Sequence, residues 1–563
     1  MSLPPLIMIV GDDALAERVC AELTAGGLNR VHVVSRLTTE RTAAFSAAGA
    51  VVTQAAPDND ESLFLGGVGD AASILTLSND DELNLAVALR ARMLNPHIRT
   101  VLRQFSPKIG RKIEQNLPNA TVLSPASHSA ATYAGATLDP GCFFGLRFPA
   151  LDGDFVGFSE GNAGDLGVRG MRVDEAQARL GARIVALGAR HEPPGDTTIL
   201  EGDSVVTFGA LINRRIATHE RGRSRARANV AFGVGRSLNA FGRINPILRT
   251  IVLGAATFYA CVLLFFHFVM GSTWARAVFD LVDTVTNTGF GDASLAPHGA
   301  AATFGAVVAM IGGTIFTSIF IGYVSSAITR AQWIAWEGLR RIHARGHVVV
   351  CGGGRTGGAV VDLLVAAGKH VVVIDSHPDP GLVRRARANR IDLLTGDATH
   401  EDVLELCGIP NAACVVALTN SDPGNLEIAL GARALRADVP LVVRMENRTF
   451  AQATNELFGI STFSPAELSA PALAGLARFP GTLGRVSYAG SEHTIVQRER
   501  GDAWPATDAV PLCAWRDGHA VVVLDAPNPC ADDAVLFAVP LQRTFGGAVA
   551  FEDVAAARDT ATR

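Results

Sequence analysis

Two stretches of this chain carry residue types at spacings that could do chemistry. The first is Thr284-Val285-Thr286-Asn287-Thr288-Gly289-Phe290-Gly291-Asp292, set between two long apolar runs. Its alternating glycines allow backbone angles closed to other residues, so it does not continue as regular helix or strand, and its carbonyl oxygens are free to face a pore. Non-helical backbone at membrane depth is tolerated only where it is buried in protein or lines a watery cavity, and rings of carbonyls can replace an ion's hydration shell. Thr286, Asn287, Thr288, Gly289, Phe290, Gly291 and Asp292 are therefore candidate ion-filter residues, with a Gly-rich surface turn as the alternative. The second stretch is Gly352-Gly353-Gly354-Arg355-Thr356-Gly357, a full Gly-x-Gly-x-x-Gly between the apolar strand His347 to Cys351 and a helix. Strand Val371 to Ile374 ends in Asp375, at the distance of an acid that meets ribose hydroxyls. Gly352, Gly354, Gly357 and Asp375 are candidate nucleotide-binding residues; a purely structural turn is the alternative.

The elements that must position these residues follow from length and patterning. A chain of 563 residues is too long for one domain and suggests three or four. A mean hydropathy of +0.25 is high for a wholly soluble protein, and the apolar excess lies mid-chain. Ile251 to Val269 bears no charge beyond a possible one on His267, and Ala300 to Ile328 bears none; both are long enough to be read as membrane spans. Trp274 to Val285 reads as a short pore helix between them. Gly312 and Gly313, midway along the second run, either let helices pack closely or let one bend as a gate hinge. Arg214 to Arg249 and Arg330 to Arg345 flank the apolar runs with positive charge, which places both termini in the cytoplasm and the arginine-rich connector near anionic lipid headgroups. A net charge of −5 gives no case for nucleic-acid binding. The eight cysteines form no Cys-x-x-Cys pair, so neither zinc site nor disulfide framework is expected, and no signal peptide is apparent.

The N-terminal run Leu6 to Val10 reads as a buried parallel strand leading to a turn and the helix Ala14 to Thr24, a Rossmann-type opening. Its turn, Gly11-Asp12-Asp13-Ala14-Leu15-Ala16, keeps only the first glycine and sets two acids where a pyrophosphate would sit, so no dinucleotide is expected there. An internal repeat ties this region to the second turn. Ser78-Asn79-Asp80-Asp81-Glu82-Leu83-Asn84-Leu85, Arg103 and Ser124-Pro125-Ala126 recur as Thr419-Asn420-Ser421-Asp422-Pro423-Gly424-Asn425-Leu426, Arg444 and Ser464-Pro465-Ala466.

Each copy resembles the RCK domain (regulator of potassium conductance, also called the TrkA N-terminal domain). The stretch Gly289-Phe290-Gly291-Asp292 resembles the selectivity filter of tetrameric potassium channels, departing from its Thr-Val-Gly-Tyr-Gly-Asp pattern at Asn287 and Thr288. The resemblance implies a mixed fold: two Rossmann-like α/β RCK domains, each with a small α+β lobe, flanking an all-α two-transmembrane pore domain with a re-entrant pore loop. The expected parts are an RCK-like domain over 1–136, its lobe over 137–213, a basic juxtamembrane connector over 214–246, and a pore domain over 247–335. A second RCK-like domain over 345–475, a diverged lobe over 476–551 and a disordered tail over 552–563 follow. The resemblance also implies that Asp283 supports the filter, sharing a proton with Asp292, and that Asp397 in Gly396-Asp397-Ala398 belongs to the nucleotide site. The function so implied is a ligand-gated potassium or other monovalent cation channel of the cell membrane, with no catalytic residue, assembled from about four chains. NAD(H) or an adenine nucleotide is the expected regulatory ligand and potassium the permeant ion. A Trk- or Ktr-like transporter component and a membrane-tethered nucleotide-dependent oxidoreductase are the rival readings, although no residue set for hydride transfer accompanies the turn.

Overall fold

The computed structural model describes residues 4–27, 29–148, 154–211, 246–286, 299–336, 342–499, 509–516, 519–523 and 534–541. The chain divides into two compact units, one formed by Met1–Gly222 with Arg340–Arg563, the other by Arg223–Leu339.

In the first unit both repeats build the same parallel six-stranded sheet. Strands Leu6–Val10, Arg30–Ser35, Val51–Gln54, Ala71–Thr76, Arg99–Arg103 and Ala120–Leu123, numbered one to six, lie in the order 3-2-1-4-5-6. Strands Val348–Cys351, Val371–Asp375, Asp392–Thr395, Cys414–Ala417, Leu441–Arg444 and Ser461–Phe463 repeat that order. This is the doubly wound Rossmann topology, whose strand order reverses between the first and fourth strands and opens a crevice at their C-terminal ends. The central strands are near-continuous apolar runs such as Val348-Val349-Val350-Cys351, all buried, as a sheet covered on both faces requires. Helices start on side-chain caps: Asp13, Asn59, Asp80 and Ser124 in the first copy, and Asp379, Ser421, Asn447 and Ser464 in the second, each accept a backbone N–H of the first turn.

The last helix of each copy packs in the core of the other. Pro125–Leu138 places Ala130, Ala131, Tyr133 and Ala134 in one cluster with Val350, Val360, Val361 and Leu364. Pro465–Arg478 places Ala466, Ala470, Leu473 and Ala474 with Ile9, Leu15, Val19 and Val33. Each helix then leads into an antiparallel five-stranded sheet. One comprises Cys142–Phe148, Asp154–Asn162, Ala182–Leu187, Arg190–His191 and Ser204–Ala210, with the helix Val173–Leu180. The other comprises Thr482–Tyr488, Ser491–Glu499, Val510–Arg516, His519–Val522 and Ala534–Pro540. The two sheets share a core of Phe144, Phe158, Phe208, Val486, Tyr488, Ile495 and Leu512.

The second unit holds the helices Pro246–Leu264, Trp274–Thr286 and Gly299–Trp336, with a π-helical turn at Phe265–Val269. Among the described residues no helix is long and apolar enough to cross a membrane. The all-α two-transmembrane pore domain expected over 247–335 is therefore not supported, and the fold expectation is corrected to two Rossmann copies with their lobes in one unit and three helices in the other. The expected first span, 251–269, is not one regular helix, because the α-helix gives way to the π-turn after Leu264. The expected second span, 300–328, lies within the single helix Gly299–Trp336.

Candidate nucleotide-binding site

The crevice of the second copy is built on the turn after Val348–Cys351. Gly352 has φ +97°, a left-handed conformation that side chains disfavour, and its N–H donates to the Ile374 carbonyl at 2.8 Å. A Cβ added at Gly357 would collide with the Gly352 carbonyl oxygen, so the helix Arg355–Ala366 can approach its strand only with glycine there. A Cβ at Gly354, by contrast, would meet nothing within 4 Å. Gly354 is the N-cap of that helix and offers no side chain to its first-turn N–H groups. The turn therefore presents donors and the positive end of the helix dipole to open space, the arrangement that favours a phosphate.

Asp375 stands at the edge of this turn. One carboxylate oxygen accepts from Gly353 N–H at 2.6 Å, the other from His377 N–H at 2.8 Å. Each oxygen keeps a further lone pair, so the fixed carboxylate can still accept from two ribose hydroxyls. The Asp375 carbonyl accepts from Gly396 N–H at 3.0 Å, which sets the next strand's end beside it. Asp397 is engaged locally: its carboxylate accepts the Thr399 N–H at 3.0 Å and hydroxyl at 2.8 Å, and these bonds hold it below the usual carboxylate range. The structure thus gathers Gly352, Gly354, Gly357 and Asp375 at one crevice and places Asp397 one strand further out.

The first copy contributes to the rim. Arg355 stacks its guanidinium 3.5 Å from the centre of the Phe105 ring, and Arg18 donates to the Glu446 carbonyl at 2.6 Å and pairs with Glu467 at 2.8 Å. Across the crevice Arg444 donates to Asn420 Oδ1 at 2.7 Å and pairs with Glu446 at 3.1 Å. Arg103 and Arg444 mark the repeat in the sequence, and their equal spacing from each glycine turn is the signal there of this shared position at the crevice.

The turn of the first copy is closed by its own side chains. Asp13 accepts from Ala16 N–H at 3.0 Å and from Arg103 Nη1, which also donates to the Leu77 carbonyl at 2.9 Å, while Arg103 Nη2 donates to Asn79 Oδ1 at 2.6 Å.

In the three-helix unit, Asp283 lies half-buried on Trp274–Thr286, and Arg276 pairs with Asp280 at 3.1 Å. His267 stacks on Trp274 with ring centres 3.8 Å apart. Gly312 faces Phe258, whose ring an added Cβ would strike. Thr286 is the last residue of its helix. Asn287, Thr288, Gly289, Phe290, Gly291 and Asp292 lie outside the described residues, as do the arginines of 214–245 and the tail 552–563.

Residues 7–125 and 348–464 match the TrkA-N domain. The chain is 25% identical over 185 residues to Potassium channel protein 1 of Methanocaldococcus jannaschii, covering 32% of this chain and 54% of that protein. It is 27% identical over 157 residues to the Trk system potassium uptake protein TrkA of Vibrio alginolyticus, covering 26% of this chain and 34% of that protein. The chain thus spans about a third to a half of the length of these relatives. A solved structure of the GsuK channel bound to NAD is similar with a TM-score of 0.49 and 15% identity, covering 96% of this chain and 78% of that one. The two segments that match the TrkA-N domain are each folded as a complete Rossmann sheet around its own turn.

Proposed function

We propose that this chain regulates potassium transport at the cell membrane, and that NAD(H) or an adenine nucleotide bound in its second TrkA-N domain is the signal. The observation that carries the reading is the open helix N-terminus at Gly354 with the fixed Asp375 carboxylate beside it. The relatives named above support the potassium part, since their names join a potassium channel and a potassium uptake system. The ion path is assigned to Thr286–Asp292 on sequence alone; one such segment per chain calls for about four chains around an ion. A ligand changes transport only through its differential affinity for the conducting and non-conducting states, so binding and control of flux are separate tests.

Calorimetric titration of the full chain with NAD, NADH, ATP and ADP is expected to show binding of at least one, weakened 10-fold or more in Asp375→Ala. Potassium accumulation in cells that lack their own uptake systems is expected to respond to the full chain and to be lost in Gly289→Ala. If none of the four nucleotides binds, the signal assignment fails; if Gly289→Ala accumulates potassium like the unaltered chain, the ion-path assignment fails.

A further inference from the structure

The two copies differ at one position in a way that bears on which of them can respond to a ligand. The offset that carries Gly11 onto Gly352, 352 − 11 = 341, also carries Asp13 onto Gly354, Asn79 onto Asn420 and Arg103 onto Arg444. Arg103 and Arg444 make the same bond to their asparagines, at 2.6 Å and 2.7 Å. In the first copy the carboxylate of Asp13 sits on the helix N-terminus, accepting Ala16 N–H, and faces the guanidinium of Arg103, a residue only 8% exposed. In the second copy no side chain caps the helix, a Cβ at Gly354 meets nothing, and the Arg444 guanidinium turns to Glu446 instead.

We infer that the Asp13 carboxylate is a built-in anion: it holds in the first copy, on the helix N–H and Arg103, the place that a ligand phosphate takes in the second. The inference rests on the nucleotide reading of the second copy for its functional meaning, and on the Asp13 geometry for its chemistry. A carboxylate accepts the same N–H and guanidinium donors as a phosphate oxygen. Being covalently attached, it fills the site at all ligand concentrations, so the first copy is held in one state while the second alone is left to respond. The first copy keeps Ala16 where the second has Gly357, and a Cβ at Gly11 would lie 2.9 Å from the Ala16 Cβ, so removing Asp13 frees an anion site without restoring a dinucleotide turn.

The test uses the full chain and inorganic phosphate, with ADP in parallel. Asp13→Gly is expected to bind one phosphate per chain more than the unaltered protein, a gain abolished in Asp13→Gly/Arg103→Gln, with ADP stoichiometry unchanged. The reverse transplant, Gly354→Asp, sets an acid opposite Arg444 and is expected to weaken ADP binding 10-fold or more at an undiminished melting temperature. The inference is overturned if Asp13→Gly gains no phosphate site, if the gain survives Arg103→Gln, or if Gly354→Asp binds ADP as tightly as the unaltered chain. Should Asp13→Gly fail to fold, Gly354→Asp alone decides. Should the unaltered chain bind no nucleotide at all, the functional reading falls, while the phosphate gain in Asp13→Gly still reports on the built-in anion.

Discussion

Asn84 and Asn425 show what the repeated motif is for. Each side chain is fully buried and closes three bonds to backbone groups at the ends of the fourth and fifth strands. Asn425 accepts from Thr419 N–H at 2.9 Å and donates to the Thr419 and Arg444 carbonyls, both at 3.0 Å. Asn84 repeats this with Ser78 and Arg103. Truncation leaves backbone groups buried without partners, so Asn425→Ala and Asn84→Ala should each lower stability by about 2–4 kcal/mol in denaturant titrations. Gly357→Ala should abolish nucleotide binding in calorimetry, since its methyl would collide with the carbonyl that shapes the turn. The glycine turn and Asp375 were legible in the sequence because their spacing reflects local backbone geometry. The ion pair of Asp13 with Arg103 was not, because its partners lie 90 residues apart and meet only once the sheet has formed.

At the scale of elements, the repeat foretold two Rossmann units and could not foretell their exchange of helices. Pro125–Leu138 and Pro465–Arg478 meet their neighbours largely through alanines, and a small apolar residue carries no mark of which sheet it will cover. Tyr133 is the clearest marker of the exchange: its hydroxyl donates to the Phe463 carbonyl in the other copy at 2.6 Å, and its ring meets Phe463 edge-on. Tyr133→Phe should cost about 1 kcal/mol, with the packing retained. Because each sheet is completed by the other copy's helix, fragments 1–211 and 342–563 made separately should expose apolar surface and associate when mixed, which size-exclusion chromatography reads directly. The apolar runs at 251–269 and 300–328 were equally visible in the sequence. Composition alone did not foretell the change from α-helix to π-turn after Leu264.

At the scale of the whole molecule, two histidines lie where the two halves of the first unit meet, and both are held neutral. Burial pushes His128, beside Leu468 of the other copy, down to about 4 from its ordinary value of 6.5. Burial, and secondarily the neighbouring His191, pushes His493 down to about 4 as well, within the stack of His191, Tyr488 and His493 that joins the two lobes. A histidine whose folded value is depressed binds its proton more readily in the unfolded chain. Stability then rises with pH between the two values and is complete above about 6.5. The halves should therefore hold together fully at neutral pH and weaken progressively as the pH falls from 6.5 towards 4. Asp397, held low by its bonds to Thr399, adds to the loss only below the ordinary carboxylate range, so the two contributions separate along the pH axis. Denaturation midpoints at pH 7.5 and pH 5 test this: the drop expected for the unaltered chain should shrink in His493→Gln, whose side chain takes no proton. Equal midpoints at the two pH values would show that neither histidine is kept neutral by the fold, and that the contact between the halves does not respond to acid through them.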